Sequence, residues 1–268
     1  MPAREQKFNH SRSHRQCGWE QNFQSTMKRI AFKPVMAIVV LSLLLAANVE
    51  AKKKVTNKIP ADLTGAAREC YNAALKGDPG AQLELGHYYQ EGEGAPKDLA
   101  KAFYWYKKAA DKGHPIAQFN VAEMYDTGEG VARDMVKAAQ WYRKAADQGD
   151  DLAQCCLGSC YFNGNGVGVD YNQAAYWYRK AAMQGNAIGQ RCLGICYEEG
   201  KGVSQDHAIA NEWYEKAAIQ GDAVAQFNLG LSYAEGEGVK KDKKKAKEWL
   251  QKAAEQGVEE AKTALKEL

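Results

Sequence analysis

Tryptophan recurs at Trp105, Trp141, Trp177, Trp213 and Trp249, a spacing of 36 residues kept over four successive intervals without a gap. The register extends to other residue types: Gly77, Gly113, Gly149, Gly185, Gly221 and Gly257; the glycine pairs 92/94, 128/130, 164/166, 200/202 and 236/238; and Asp98, Asp134, Asp170, Asp206 and Asp242. A period of this length restricts the chain to stacked supersecondary units. One unit cannot bury its own apolar side chains, so each must lean on the next. Residues 77–256 hold five full units, residues 65–76 and 257–268 are half-units that cap the open ends, and 65–268 is the repeat region.

Each unit reads as two antiparallel helices. In residues 77–112, Ala81, Leu85 and Tyr89 lie i, i+4, i+8 on one face of a first helix that stops at Gly92-Glu93-Gly94. A second helix begins at Asp98, whose side chain suits an N-cap in all five units. Its inner face is Ala102, Trp105, Tyr106, Ala109 and Ala110, at i, i+3, i+4, i+7, i+8. Gly86, Ala122, Gly158, Gly194 and Gly230 sit where a larger side chain holds the helix pair apart. The fold expected is all-α, an α-solenoid of stacked antiparallel helix pairs with a core running continuously along the array.

The N-terminal part reads differently. Lys28, Arg29 and Lys33 precede an apolar run over 35–49 that closes on Val49-Glu50-Ala51, the pattern of a secretory signal peptide over 27–51. On this reading residues 1–26 are an upstream segment outside the true product, Met27 is the start, and 52–64 are a linker. The apolar run is shorter than the roughly 20 residues a membrane-crossing helix needs, although Lys52-Lys53-Lys54 just after it opposes translocation. The expected location is periplasmic or secreted, with no stable membrane insertion after cleavage. Beyond Ala51 the chain holds 29 Lys or Arg and 30 Asp or Glu, a net charge of −1, so nucleic acid is not an expected partner.

The assembled unit, seen in Ala117-Gln118-Phe119-Asn120-Val121-Ala122, Gly128-Glu129-Gly130-Val131, Asp134, Ala138, Trp141-Tyr142-Arg143-Lys144-Ala145-Ala146 and Gly149, resembles the Sel-1-like repeat, a relative of the tetratricopeptide repeat. The resemblance covers 65–268. It implies a right-handed superhelix whose first helices line a concave groove for other proteins, often in exported bacterial adaptors. By the same resemblance the groove positions are Leu83, Phe119, Cys155, Arg191 and Phe227; Glu84, Asn120, Cys156, Cys192 and Asn228; and His87, Glu123, Ser159, Ile195 and Leu231. Their aromatic and apolar mixture suits an extended or amphipathic protein segment more than a charged small molecule.

Six cysteines lie in the repeat region: Cys70, Cys155, Cys156, Cys160, Cys192 and Cys196. Cys156 and Cys160 stand i, i+4 on one first helix, with Cys192 and Cys196 at the same places one period later. Stacked helices about 8–10 Å apart bring these four together. One or two disulfides pinning unit three to unit four, a tetrathiolate zinc site, and inert buried thiols are three readings of that cluster. Cys70 and Cys155 stand apart from it, Cys155 pointing into the groove. Some cysteine-rich relatives implied by the resemblance are β-lactamase-like hydrolases, in which a Cys late in each second helix bridges to the next first helix. Ala146 and Ala182 occupy those places here, opposite Gln154 and Gln190, so that pattern is absent.

Catalytic constellations are missing from the sequence. The recurring Gly-x-Gly lacks the third glycine and the preceding strand of a phosphate loop. Ser159, Ser204 and Ser232 are not followed by Lys three places on, and His87, His114 and His207 fall in separate units. The Lys240-Lys241-Asp242-Lys243-Lys244-Lys245 run reads as a solvated helix start, with acidic lipid or glycan contact as the alternative. No cofactor or metal is expected. The function that follows is a non-enzymatic exported adaptor, with a β-lactamase-like or cell-wall hydrolase as the alternative.

Overall fold

The computed structural model describes residues 59–268, in which twelve helices and no strand occur. The signal peptide, the upstream segment and residues 52–58 of the expected linker lie outside the described residues. The helices are α1 (Gly65–Lys76), α2 (Pro79–Glu91), α3 (Leu99–Asp111), α4 (Pro115–Thr127), α5 (Met135–Asp147), α6 (Asp151–Asn163), α7 (Tyr171–Met183), α8 (Ala187–Glu199), α9 (His207–Ile219), α10 (Ala223–Glu235), α11 (Lys243–Glu255) and α12 (Glu259–Glu267). Each packs on its chain neighbour, and the first helices α6 and α8 also touch one another directly. That contact skips over α7 and puts the first helices on the tighter, inner side of the stack.

Local chemistry sets the helix ends. Every second helix starts at its aspartate, with Asp98 accepting from Lys101 N at 2.9 Å and Asp134, Asp170, Asp206 and Asp242 doing the same in their units. First helices are capped as well, by Asp78, Asp150, Asn186 and Asp222, while His114 makes no side-chain cap bond. Proline at the first helical position of α2 and α4 fits the orphan N–H there.

The Gly-x-Gly element is a turn. Its first glycine is the left-handed cap of the first helix, as at Gly164 with φ 75°. Its second, Gly166 with φ 71°, faces the Met135 carbonyl at the start of the preceding unit's second helix so closely that a β-carbon has no room. Backbone contact between units, not phosphate binding, accounts for the motif.

The inner stripe of α3 is buried as the periodicity demands: Ala102, Trp105, Tyr106, Ala109 and Ala110. In units one, three and four the small residue of the first helix receives a tyrosine ring of the second, and in unit five Gly230 receives Leu250. A β-carbon on Gly158 stands 2.7 Å from Tyr178, and one on Gly194 stands 2.6 Å from Tyr214.

A ladder of glutamines joins the units. Gln82, Gln118, Gln154, Gln190 and Gln226 are buried, and each donates its amide to the carbonyl of an alanine eight residues earlier, in the preceding helix. Four of them accept in turn from the glutamine that ends their own unit's second helix. Those bonds are Gln148 to Gln118 at 2.7 Å, Gln184 to Gln154 at 2.9 Å, Gln220 to Gln190 at 2.7 Å and Gln256 to Gln226 at 2.8 Å.

Among fully buried residues the core departs from the expected continuity, the first two gaps being bridged by half-buried Tyr161 and Tyr197. One cluster runs from Leu63 through Cys160 and Trp177, and then the interior divides into three smaller ones around Tyr178 and Leu193, Tyr214 and Leu229, and Leu250 and Ala261. Part of the reason lies at one repeat position. Phe103, Ala139 and Ala175 are followed there by Asn211 and Lys247. Asn211 is buried, donates to the Glu237 carbonyl at 2.7 Å, and leaves its Oδ1 without a partner, so a polar contact replaces apolar packing between units four and five.

Candidate partner-binding groove

The three rows of first-helix residues separate by depth. The first row is closed: Leu83, Phe119, Cys155 and Arg191 are buried and only Phe227 is half-buried. This row turns toward the next unit's first-helix N-cap. Arg191 Nε meets Asp222 Oδ2 at 2.9 Å, and the other oxygen of Asp222 caps Ala225 N at 2.8 Å. One unit earlier, Cys155 Sγ donates to Asn186 Oδ1 at 3.3 Å, and the Asn186 amide donates to Asp151 Oδ2 at 2.8 Å. Arg191 and Cys155 are therefore inter-unit joints and not groove lining, a correction to the expected set.

In the second row Asn120, Cys156 and Cys192 are buried, while Glu84 and Asn228 are half-buried. In the third, His87, Glu123, Ile195 and Leu231 are half-buried and Ser159 is closed off, its oxygens accepting from Asn163 Nδ2. The positions left with access to solvent are Glu84, His87, Glu123, Ile195, Phe227, Asn228 and Leu231. They fall toward the two ends, and the middle of the array, at Cys155, Cys156 and Ser159, is the most enclosed.

The expected staple between units three and four is not formed: Cys160, Cys192 and Cys196 are all thiols. The two first helices do touch, but the four cysteines are divided between two clusters beside the second helix α7. Its Tyr178 ring presses on Gly158 of α6, and its hydroxyl lies in the neighbourhood of Cys155, Cys192 and Cys196. Cys156 and Cys160 belong to the first core cluster, whereas Cys192 and Cys196 belong to the next.

Burial also decides the chemistry of these thiols. Desolvation pushes Cys160 and Cys196 up to about 12 and holds Cys155 well above the ordinary thiol value. Protonated at neutral pH, they offer no thiolate for nucleophilic attack or metal ligation. Among the described residues no group of three or more His, Cys, Asp or Glu side chains is placed to hold a metal ion, which leaves the zinc reading without a site. No helix among them is long and apolar enough to cross a membrane.

Several features lay outside the sequence reading. The glutamine ladder and the caps at Asp78, Asp150, Asn186 and Asp222 are 36-periodic or nearly so, and the sequence itself contains that signal. The ion pair of Arg191 is a single-unit feature with no periodic trace.

Comparison with known proteins agrees with this architecture. The Sel1 repeat matches over residues 79–114, 115–150, 151–186, 187–222 and 223–258. Among solved structures, a protective antigen present in uropathogenic Escherichia coli strains and displaying an SLR fold superposes with a TM-score of 0.72 at 39% identity, over 75% of this chain and 43% of that one. A Sel1 repeat protein from Oxalobacter formigenes superposes with a TM-score of 0.68 at 36% identity, over 71% of this chain and 76% of that one. The chain thus spans less than half the length of the E. coli protein. No curated protein matches it.

Proposed function

Because the chain belongs to the Sel1 repeat family, a family of repeat scaffolds, we propose that it is an exported, non-enzymatic adaptor that holds a segment of a partner protein along its first-helix face. The observation that carries the reading is the third row, in which His87, Glu123, Ile195 and Leu231 stand half-open at one repeat position on four stacked first helices. Pairs of equivalent side chains one period apart at each end of the array, His87 with Glu123 and Ile195 with Leu231, offer an extended chain contacts along a rigid support on either side of the closed Ser159. The buried, protonated thiols favour binding over covalent chemistry.

Export rests on the 27–51 pattern. N-terminal sequencing of protein recovered outside the cytoplasm gives Lys52 as the first residue on this reading; a first residue upstream of Met27 refutes it.

Substituting His87→Ala, Glu123→Ala, Ile195→Ala and Leu231→Ala together tests the groove. In-cell crosslinking of the tagged secreted protein captures one partner near stoichiometrically with the wild type and not with the variant, at unchanged helicity. Equal capture by both overturns the groove assignment. Phe119 and Asn120 are poor choices for such a test because they are buried, and their loss disturbs the fold itself.

A further inference from the structure

The charges of the repeat are sorted by helix. The second helices α3, α5, α7, α9 and α11 contain 14 Lys or Arg and 6 Asp or Glu. The first helices α2, α4, α6, α8 and α10 contain 8 Asp or Glu and one Arg, and that Arg191 is buried against Asp222. A chain close to neutral overall therefore has a basic outer face and an acidic inner one. Exposed large apolar side chains are sorted the same way. Of eight among the described residues, six belong to second helices: Tyr104, Val136, Tyr171, Tyr176, Met183 and Ile219.

The outer cations are held in place rather than trailing in solvent. The ammonium of Lys144 lies 3.6 Å from the Trp141 ring centre, Lys216 3.9 Å from Trp213, Lys252 4.2 Å from Trp249 and Lys180 5.0 Å from Trp177. Each second helix from unit two onward thus presents a lysine at one repeat position, fixed on its own tryptophan. Tyr176, Arg179, Lys180 and Met183 together line an open cleft of about 410 Å³ on this face.

We propose that the second-helix face is a docking surface for the anionic phospholipid headgroups of a bilayer, on which the solenoid lies. The basic excess supplies the attraction, about fivefold in partitioning for each Lys or Arg brought near an anionic membrane. Tyrosine rings and single apolar tips seat at headgroup depth, beside the cations. A dry protein interface gathers its apolar anchors at one centre; here Tyr104, Val136, Met183 and Ile219 are spread over four units with cations among them. The acidic first-helix face is turned away from such a surface. This inference does not rest on the groove reading.

The test is co-sedimentation of the full chain with vesicles of mixed phosphatidylglycerol and phosphatidylcholine. The comparison is with a variant bearing Lys108→Gln, Lys144→Gln, Lys180→Gln, Lys216→Gln and Lys252→Gln. Residues 1–58 are the same in both, so their own affinity for lipid cancels in the ratio. Five charges removed weaken partitioning by more than about a hundredfold at low salt. Arginine at the same five positions retains binding, and helicity by circular dichroism is unchanged throughout. Met183→Ser with Ile219→Ser weakens the part of the binding that survives raised salt. The four-residue groove variant sediments like wild type, so failure of partner capture and failure of lipid binding are read separately. Equal partitioning of wild type and the glutamine variant overturns the proposal. So does equal sedimentation with pure phosphatidylcholine, or retention by a soluble polyanion with no binding to vesicles.

Discussion

The two halves of the solenoid are built from the same unit and are not equally consolidated. Through units one to three, Trp105, Trp141 and Trp177 are buried in one continuous cluster, whereas Trp213 and Trp249 are half-exposed in separate small ones. Trp141 and Trp177 are also covered by a cation from the unit before: Lys107 lies 5.0 Å from Trp141, and the Arg143 guanidinium 5.4 Å from Trp177. Unit four places Glu215 where those cations stand, and Asn211 where Ala139 and Ala175 stand. Two residues per unit suffice to weaken the hand-over of the core, because in a one-dimensional stack each unit has only its neighbours to lean on.

The largest expected effect breaks the comparison directly. Trp177→Ala destabilises by about 3–5 kcal/mol and Trp249→Ala by about 1–2 kcal/mol, in proportion to the apolar area each removes from water. Urea unfolding of the two variants measures the gap, and equal midpoints mean that the halves are consolidated alike. Next in size is the joint between units four and five. Arg191→Ala leaves the carboxylate of Asp222, itself a helix cap, without its buried partner and costs about 3 kcal/mol; Arg191→Met, which fills the same space, costs less. Hydrogen exchange localises the loss to α8 and α10.

Asn211 and Ala139 sharpen the comparison by exchange. Ala139→Asn brings an amide into the continuous core and destabilises by about 1–3 kcal/mol, while Asn211→Ala deletes an unpartnered Oδ1 along with one hydrogen bond and stays within about 1 kcal/mol of wild type. Thermal unfolding that shows the two changes to be equally harmful removes Asn211 as a cause of the break. The smallest effect concerns the N-terminal end. Unit one ends its second helix in Lys112, which donates to the Gly77 carbonyl, so Gln82 Oε1 is buried without the partner its four counterparts have. Lys112→Gln completes the ladder and stabilises by about 1 kcal/mol, read as a rise in melting temperature.

Much of the architecture was legible in the sequence, for physical reasons that can be named. The Asp98 series marks helix starts because a carboxylate at that position satisfies an orphan N–H wherever the chain goes next. The stripe of Ala102, Trp105, Tyr106, Ala109 and Ala110 is buried because 3.6-residue periodicity fixes which face is apolar. Gly86, Gly158 and Gly194 are small because a tyrosine ring lies against them, and Gly230 because Leu250 does. The glutamine ladder was equally periodic, and a tally of every residue type in the 36-residue register finds it.

The candidate site was less legible, because the repeat gives a residue's register but not its depth. Leu83 and Leu231 are both apolar first-helix residues four places apart in the unit, yet one is closed and the other half-open. The difference arises from how far each turns toward the next unit. The cysteines teach the same point. Their i, i+4 spacing put four cysteines on neighbouring first helices, yet packing assigns Cys156 and Cys160 to one buried cluster and Cys192 and Cys196 to the next.

What the sequence determined by itself, then, was everything local and repeated: helix boundaries, caps, turns, the inward face and the number of units. These depend on interactions within about one turn of helix or one hairpin, and the period states them five times over. The tertiary structure alone decided which first-helix residues stay open, where the core breaks, and that Arg191 pairs with Asp222 instead of facing a partner. Those outcomes depend on how one unit is set against the next, and that geometry is fixed by packing summed over whole faces, which no single position in the chain encodes.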